Sequence, residues 1–406
     1  MSERTAMRMA MRLATVATAV GVWVGCAWLL WRTSVPSLHL SGLNATQYFP
    51  ARVLRRSEQF TRGEDLLWLL ATIANLAALA VLAWRLPRSV RTIGLGRIGS
   101  AIIVALVVLV TEWFVQLPFS VASLWWQHHY GLGPFDIGAW LGGQWGALLG
   151  ESGSLLLGIT LIVGLAGRFR RWWWLPAGAT IVAVAALFAF TGGWLGSTGT
   201  HPLYNAKYQA DVTRLERAEH VQGTPVVVQD VTSFTNQVNA FTVGFGPSRH
   251  VVLWNTLFDG RLSHASVDVV IAHELGHVRS GHIKKAIGWS ALSAFPVLFL
   301  VAWLLRRRGG LADPANVPLA FLALAVIVLL TTPLQNAVSR RDEAEADWRA
   351  LNATHDPVAA ELLFQAFAKT SLEQPDPPVW NYLWLENHPT LAQRVAMVNA
   401  WEARNP

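Results

Sequence analysis

The sequence His273-Glu274-Leu275-Gly276-His277 lies in a stretch with helical spacing, which predicts a helix over residues 263–285 with Ser263 as its N-cap. Two histidines at positions i and i+4 lie about 40° apart around a helix axis, so both imidazoles can face one ion. Neutral imidazoles suit Zn²⁺, and Glu274 beside them can take a proton from a water that the metal activates. The stretch therefore predicts a zinc site with its own general base.

A zinc site of this kind needs a third protein ligand. Ser280 and Ile283 stand where a metzincin would carry a glycine and a histidine, so that class is excluded. Residues 339–347, SRRDEAEAD, follow the last apolar segment, and Glu343 and Asp347 share one helix face. Glu343 can complete a His₂Glu site, with Asp347 holding a ligand histidine from behind. Taken alone, this stretch is also consistent with the charged, solvated start of a helix.

The composition is that of a membrane protein. The chain has 406 residues, of which 53% are hydrophobic and 14% charged, whereas a soluble domain carries about 25% charged residues. The single cysteine, Cys26, excludes an intramolecular disulfide and a multi-cysteine metal site. The net charge is +7, but most basic residues lie beside apolar segments, where they set membrane topology. We therefore expect no nucleic-acid partner.

Seven apolar segments reach the roughly 20 residues that a bilayer span requires. They are about 12–31, 65–84, 98–117, 146–166, 173–194, 286–305 and 317–335. The first favours a retained anchor over a cleaved signal peptide. We expect a transmembrane region with five spans in residues 1–196, a metalloprotease domain in two parts, 197–285 and 336–406, and a transmembrane hairpin between them in 286–335. Both polar parts then lie on one side of the membrane.

The first polar part combines helix and strand signals. Residues 206–220 have helical spacing, whereas 224–229, 239–245 and 250–254 have the composition of strands. The turn at 246–248 joins the last two into a predicted hairpin. The sequence thus predicts a small α+β domain.

With these motifs, the chain resembles the CAAX prenyl protease type 1 family of integral-membrane zinc metallopeptidases, which is related to the bacterial heat-shock membrane protease. HELGHVRSGH at 273–282 and SRRDEAEAD at 339–347 are similar to its signatures. Four further stretches resemble its other motifs. Residues 117–120 with Gly131 resemble the loop after its third span, and 201–205 resemble the entry to its soluble domain. Residues 239–241 with 244–245 resemble its substrate-side strand, and 388–391 with Arg394 resemble its C-terminal active-site motif. One departure is Gln127-His128-His129-Tyr130, where that family has a charged Glu-Lys stretch.

This resemblance, which covers about residues 50–400, implies an α-helical polytopic membrane protein of about seven transmembrane helices with a small α+β, gluzincin-type zinc metalloprotease domain. The roles it implies are as follows: His273, His277 and Glu343 bind one zinc ion; Glu274 is the general base; His388 and Arg394 stabilise the substrate carbonyl and the oxyanion; Asp347 supports a ligand; and Asn239, Ala240 and Phe241 lie on an edge strand that binds the substrate backbone.

The implied activity is hydrolysis of peptide bonds in a membrane-associated or lipid-modified protein or peptide, or in damaged membrane proteins. The partners are then that substrate and the lipid bilayer, and the Arg-rich composition favours a bacterial plasma membrane. The alternative is a catalytically weak homologue that acts as a peptide-binding scaffold or quality-control factor, although the intact Glu274 argues against it. A seven-helix receptor or transporter would explain the spans but leave the zinc motifs without a role.

Two arguments about which side of the membrane the zinc site faces give opposite answers. Thirteen basic residues lie at the span ends on the N-terminal side, against five on the opposite side, so the positive-inside rule places the zinc domain outside the cytoplasm. The family resemblance places it on the cytosolic side. The sequence leaves the side open.

Other polar residues have weaker signals. On a continuous helix, His282 lies about 140° from His277, which favours a structural role. Carboxylates within spans are candidate functional groups, and amides there commonly bridge helices. The remaining candidates are Glu112 and Glu151 as intramembrane carboxylates, Asn75 as a helix-bridging amide, His128 and His129 as a disfavoured second metal site, and 168–171 and 306–308 as topology determinants.

Overall fold

A computed structural model describes residues 3–38, 40, 42–90 and 94–405, with side chains except at 3–6, 8, 12, 87–90, 145–152 and 154. The helices are α1 (Glu3–Leu30), α2 (Ala45–Tyr48), α3 (Ala51–Val90), α4 (Gly96–His129), α5 (Ile137–Phe169), α6 (Trp174–Leu195), α7 (Ala206–Ala218), α8 (His264–Ser280), α9 (His282–Leu305), α10 (Val317–Thr354), α11 (Pro357–Thr370), α12 (Val379–Trp384) and α13 (Leu391–Glu402). The strands are β1 (Thr200–Pro202), β2 (Val226–Gln229), β3 (Ala240–Val243) and β4 (His250–Trp254).

Within the described part of the chain, six helical segments are long and apolar enough to cross a membrane. They are Met9–Leu30, Ala51–Leu86, Gly96–His129, Trp174–Leu195, His282–Arg308 and Pro314–Thr354. They match six of the seven predicted spans. The seventh, 146–166, lies in α5, some of whose side chains are outside the description. This set of helices is typical of an integral membrane protein.

The predicted loop after the third span is helical in the structure. Helix α4 continues through Pro118 to His129, because side chains in its second half bind α3. Ser123 donates to the carboxylate of Glu64, and the indole of Trp126 donates to the carbonyl of Phe60. A proline removes only one backbone donor, and these contacts stabilise the helix beyond it.

The sheet has the order β1-β2-β4-β3, with β2 and β4 parallel and the outer pairings antiparallel. The predicted hairpin is present as β3 and β4, with Ala240 opposite Leu253. Strand β3 pairs only with β4 within the described sheet, so its other edge is available for backbone hydrogen bonds. That edge borders the candidate site.

The core beneath the sheet joins distant parts of the sequence. It contains Leu253 of β4, Ile271 of α8, Leu351 of α10 and Val395 of α13, all essentially inaccessible to solvent. Phe49 and its neighbours in the segment before α3 also pack into it. Both predicted parts of the polar domain therefore share one core, which also takes in residues from the segment between the first two spans.

Close backbone contact attaches the sheet to a membrane helix. A methyl group at Gly193, near the end of α6, would overlap the carbonyl oxygen of Ser248. Gly244, just after β3, has a φ of +74° and lies against the same carbonyl. Only glycine combines this φ with such an approach, so these two positions fix the edge strand relative to the span.

Helix α8, which carries the HELGH motif, begins as predicted and ends earlier. The Ser263 side chain accepts a hydrogen bond from the Ser266 amide and caps its N-terminus. Gly281 has a φ of 65° and forms the left-handed C-cap, after which α9 starts at His282. The predicted helix over 263–285 is therefore two helices, and the turn between them redirects His282.

Candidate metal centre

Three predicted ligands come together where α8 faces α10. The Nε2 atoms of His273 and His277 lie 3.0 Å apart. The Oε2 atom of Glu343 lies 3.2 Å from the first and 3.6 Å from the second. Two imidazoles and a carboxylate aimed at one point form a donor set that suits Zn²⁺.

The polar groups at this point fit a cation. Glu343 Oε2 is buried and has no hydrogen-bond donor of suitable geometry among the described residues. Burial by itself lowers the pKa of His273, but the carboxylates of Asp347 and Glu343 beside it outweigh that effect and raise the pKa to about 10. The surroundings therefore favour positive charge between these three side chains, which is what a zinc ion would supply.

Asp347 and Arg394 hold His273 from behind. The Nδ1 atom of His273 lies 2.9 Å from Asp347 Oδ1, so Nδ1 carries the hydrogen and Nε2 keeps its lone pair for a metal. Arg394 donates two hydrogen bonds to the same carboxylate, from Nε at 2.8 Å and Nη2 at 2.6 Å. Both donors are directed at Asp347, so the role of Arg394 at an oxyanion stays a prediction, whereas its contact with Asp347 is explicit.

The predicted general base lies beside the edge strand. The hydroxyl of Thr242 in β3 donates to Glu274 Oε2 at 2.9 Å and lies 3.0 Å from the backbone oxygen of the same residue. No sequence pattern indicates Thr242, because this contact joins residues 32 positions apart. It holds the carboxylate of Glu274 next to the strand on which a substrate would lie.

A cavity of about 270 Å³ opens between β3, α8 and the segment before α13. Asn239, Ala240, Glu274 and His388 line it together with His273. Phe241 does not line it, because side chains alternate along a strand and Ala240 and Thr242 face this side. Two of the three predicted strand residues therefore border the cavity.

His388 is the third imidazole near Glu343. Its Nε2 lies 3.1 Å from Glu343 Oε2, and its Nδ1 lies 2.7 Å from the side-chain oxygen of Asn387. Burial lowers the pKa of His388, and the contact with Glu343 raises it by more. The contact with Glu343 therefore favours the protonated form of His388, which is a hydrogen-bond donor at the cavity.

His282 contacts the site, which its position in the sequence did not predict. Because the backbone reverses at Gly281, His282 Nδ1 lies 2.8 Å from His277 Nδ1, while its Nε2 lies 3.2 Å from Glu345 Oε2. The carboxylate fixes the hydrogen on Nε2, so Nδ1 of His282 accepts from His277. His277 then keeps the lone pair on Nε2, which faces Glu343.

Glu345 is itself held by the N-terminal segment. Ser34 donates to Glu345 Oε1 from its amide at 2.9 Å and its hydroxyl at 2.8 Å. Lys285 donates to Oε2 at 2.8 Å and to the carbonyl of Arg32 at 3.2 Å. We name His282, Glu345, Lys285 and Ser34 the His282 network. It connects the end of α1 to a candidate metal ligand.

The remaining polar candidates lie elsewhere. Asn75 donates to Glu112 at 3.4 Å and bridges α3 and α4, as predicted for a helix-bridging amide. His128 Nδ1 lies 3.1 Å from the Gly133 carbonyl, and the ring of His129 stacks on Trp125. Neither histidine belongs to a possible metal-binding group among the described residues. The side chain of Glu151 lies outside the described residues.

A second polar cluster on α7 and α8 predicts a pH effect on stability. Burial and the nearby Asp211 raise the pKa of Asp268 to about 6, and its Oδ1 is buried without a hydrogen bond. The pKa in an unfolded chain is about 3.9, so above pH 6 the charged carboxylate destabilises the fold by as much as about 3 kcal/mol. This penalty shrinks as the pH falls to about 4.

We therefore expect Asp268→Asn to raise the melting temperature at pH 8 and to have no effect near pH 4, when both proteins are unfolded by heat with a chelator present. The exposed Asp376→Asn should leave the melting temperature unchanged at both pH values. An equal gain from Asp268→Asn at every pH would contradict the assigned pKa.

Comparison with known proteins extends this description. The model of peptidase family M48 matches residues 202–402. The chain is 27% identical over 244 residues to a protein described as an uncharacterized metalloprotease, YhfN, of Bacillus subtilis (strain 168), which covers 57% of each chain. It is 29% identical over 223 residues to a protease HtpX homolog of Acidiphilium cryptum (strain JF-5), covering 52% of this chain and 75% of the relative. The match thus spans less than two thirds of YhfN.

The fold as a whole is similar to a solved structure. The crystal structure of Ste24p from S. mikatae superposes with a TM-score of 0.72 and 17% sequence identity, covering 94% of this chain and 97% of that one. At this identity the likeness concerns the fold alone. Through residues 202–402, which contain His273, His277, Glu343 and His388, the chain belongs to peptidase family M48.

Proposed function

We propose that this chain is a membrane-embedded zinc metalloendopeptidase in which His273, His277 and Glu343 bind one zinc ion. One observation carries the proposal. Glu343 Oε2 is buried, accepts no hydrogen bond among the described residues, and faces the Nε2 atoms of both histidines. Asp347 and His282 direct those two lone pairs toward Glu343 from behind. The donor set and its supporting contacts are typical of a catalytic zinc site.

The chemistry follows from the residues around the cavity. Zinc, when bound, acts as a Lewis acid that makes water a nucleophile at neutral pH. Glu274 takes the proton of the attacking water and later gives it to the leaving amine. His388 donates a hydrogen bond to the carbonyl oxygen of the scissile bond as negative charge develops there.

The free edge of β3 supports binding of an extended peptide. The Asn239 carbonyl already accepts from the Trp254 amide of β4, so the outward-facing backbone groups of Ala240 would pair with the substrate by strand addition. The substrate carbonyl would then lie over the cavity beside Glu274. The substrate class we propose is a membrane-associated or lipid-modified protein or peptide, or a damaged membrane protein, reached from the bilayer of a bacterial plasma membrane. The resemblance to CAAX prenyl endopeptidases supports the lipid-modified variant.

The alternative is a peptide-binding scaffold with weak or absent catalysis. A scaffold needs the strand edge and the cavity but has no use for Glu274 held by Thr242. The hydrogen bond that holds the Glu274 carboxylate therefore favours an enzyme over a scaffold.

The test is hydrolysis of a mixed peptide library by the full chain in detergent micelles, read by mass spectrometry. We expect new peptide ends in the presence of zinc, their loss after chelation and their return when zinc is added. The scaffold would be established instead if zinc-loaded protein binds library peptides but cuts none of them. This must hold even when the peptides carry a lipid group and are presented in vesicles.

The His282 network predicts a measurable effect on zinc affinity. His282→Leu keeps a similar volume but removes the acceptor for His277 Nδ1, so we expect zinc affinity to fall about 10- to 100-fold, as for other residues that orient metal ligands. His282→Asn keeps an oxygen acceptor near the position of Nδ1 and should restore most of the affinity. Competition with a chromogenic chelator measures both.

His128→Leu is the matched control, since His128 lies at the end of α4 and contacts the Gly133 carbonyl away from the site. Its zinc affinity should equal that of the wild type. If His282→Leu binds zinc as tightly as the wild type while folding normally, His282 does not orient His277.

A further inference from the structure

A second cavity lies at the end of the helix bundle opposite the metal centre. Its volume is about 630 Å³, more than twice that of the candidate site. Helix α9 begins at His282 beside the metal centre and ends at Leu305 beside this cavity, and α6 runs between the same two ends. We name it the basic cavity for the four arginines that line it: Arg97, Arg170, Arg171 and Arg306.

These arginines have no paired carboxylate in the part of the chain that the structure describes. Among the residues that the structure describes, none of the four forms an ion pair with a carboxylate. The nearest acidic residue in sequence to the lining segment 309–312 is Asp313, whose side chain accepts from the Ala315 amide at 3.0 Å and caps the following helical turn. The basic cavity is therefore a site of concentrated, uncompensated positive charge.

The arginines come from different helices and converge. The Arg97 guanidinium, from the start of α4, lies against Gly167 at the end of α5, where a methyl group would overlap it. The Arg306 guanidinium, at the end of α9, lies 4.9 Å from the centre of the Trp303 ring. Gly167 thus leaves room for this position of the Arg97 guanidinium. The convergence brings guanidinium groups from α4 and α9 to one opening.

The walls of the basic cavity are apolar. Phe299, Ala302 and Leu311 line it, and the ring of Trp174 packs edge-on against Phe299 with centroids 5.3 Å apart. Trp173 beneath is almost fully buried. Tryptophans at this level are typical of the membrane interface. A cationic opening above apolar walls at the interface matches an amphiphile with an anionic headgroup.

We propose that the basic cavity binds the headgroup of an anionic phospholipid, with phosphate oxygens held by Arg97, Arg170 and Arg306 and the upper acyl chain against Phe299 and Ala302. Guanidinium groups pair with phosphate in a bidentate manner. Topology determination explains positive charge at this end of the bundle, but it does not require arginines from different segments to line one cavity. The proposal is independent of the peptidase activity.

The experiment measures lipid binding to the full chain in zwitterionic detergent by native mass spectrometry. The probes are phosphatidylglycerol and phosphatidylcholine with identical acyl chains. We expect each chain to bind one phosphatidylglycerol tightly and to bind phosphatidylcholine more weakly. The double variant Arg170→Gln/Arg306→Gln should lose about 25-fold in phosphatidylglycerol affinity, at about fivefold for each arginine. Arg170→Lys/Arg306→Lys keeps the charge but loses the bidentate fork, so its affinity should lie between those of the wild type and the double Gln variant.

The control is Arg52→Gln/Arg55→Gln, which removes the same charge from exposed positions at the start of α3. It should bind phosphatidylglycerol like the wild type. An equal loss in this control, or unchanged binding in the Arg170→Gln/Arg306→Gln protein, would overturn the proposal. Displacement of the lipid by excess inorganic phosphate would assign the cavity to a soluble anion and also overturn it.

Discussion

Glu274→Gln is expected to lower kcat by about 10²- to 10⁴-fold, the range that a positioned general base contributes. The amide keeps the shape of the side chain and can still accept the hydrogen bond from Thr242, so the fold and the three candidate ligands should be undisturbed. It cannot take a proton from water. The measurement is the rate at which a peptide found in the library screen is cut.

Two controls make this result specific. Glu402→Gln, an exposed position at the end of α13, should cut at the wild-type rate. Zinc content should be the same in all three proteins. A Glu274→Gln protein that holds zinc and cuts as fast as the wild type would remove Glu274 from the mechanism, and one without zinc would indicate that Glu274 supports metal binding.

Arg394→Met is expected to destabilise the protein by about 3 to 5 kcal/mol, because it leaves the carboxylate of Asp347 buried without its main counter-charge. Arg394 is 6% and Asp347 4% exposed, so solvent cannot replace the lost hydrogen bonds. Met fills much of the space over the Phe364 ring, against which the guanidinium packs at 4.3 Å. For a domain of about 200 residues this corresponds to a loss of roughly 6 to 20 °C in melting temperature.

The comparison is Arg62→Met, which breaks an ion pair with Glu58 on the surface of α3. Exposed i,i+4 pairs contribute about 0.5 kcal/mol or less, so its melting temperature should barely change. Thermal unfolding of zinc-free protein in detergent measures both. If the two variants have the same melting temperature, the Arg394–Asp347 pair does not stabilise this fold. The predicted contact of Arg394 with substrate then becomes the better explanation of its position.

Local sequence patterns predicted much of the architecture. Hydropathy over about 20 residues is a local property, and six of the seven predicted spans match helices that can cross a membrane. The strands at 226–229, 240–243 and 250–254 and the N-cap at Ser263 also depend on near neighbours in sequence. Local patterns failed where tertiary contacts decide, as in α4, which Glu64 and Phe60 of α3 support beyond Pro118.

The same division applies to the site. The i,i+4 spacing of His273 and His277 places both imidazoles on one face of a helix, because helical geometry fixes that angle without any other part of the chain. The spacing of Glu343 and Asp347 is local in the same way. The sequence alone therefore predicted which residues can form the metal centre.

Only the tertiary structure decided how those residues are held. Ser34 and Glu345 are 311 positions apart, Thr242 and Glu274 are 32 apart, and Arg394 and Asp347 are 47 apart. Such pairs have no periodic signature, since their distance depends on how complete helices and strands pack. The left-handed C-cap at Gly281 is a local glycine signal, but only the packing of α9 against α10 places His282 between His277 and Glu345.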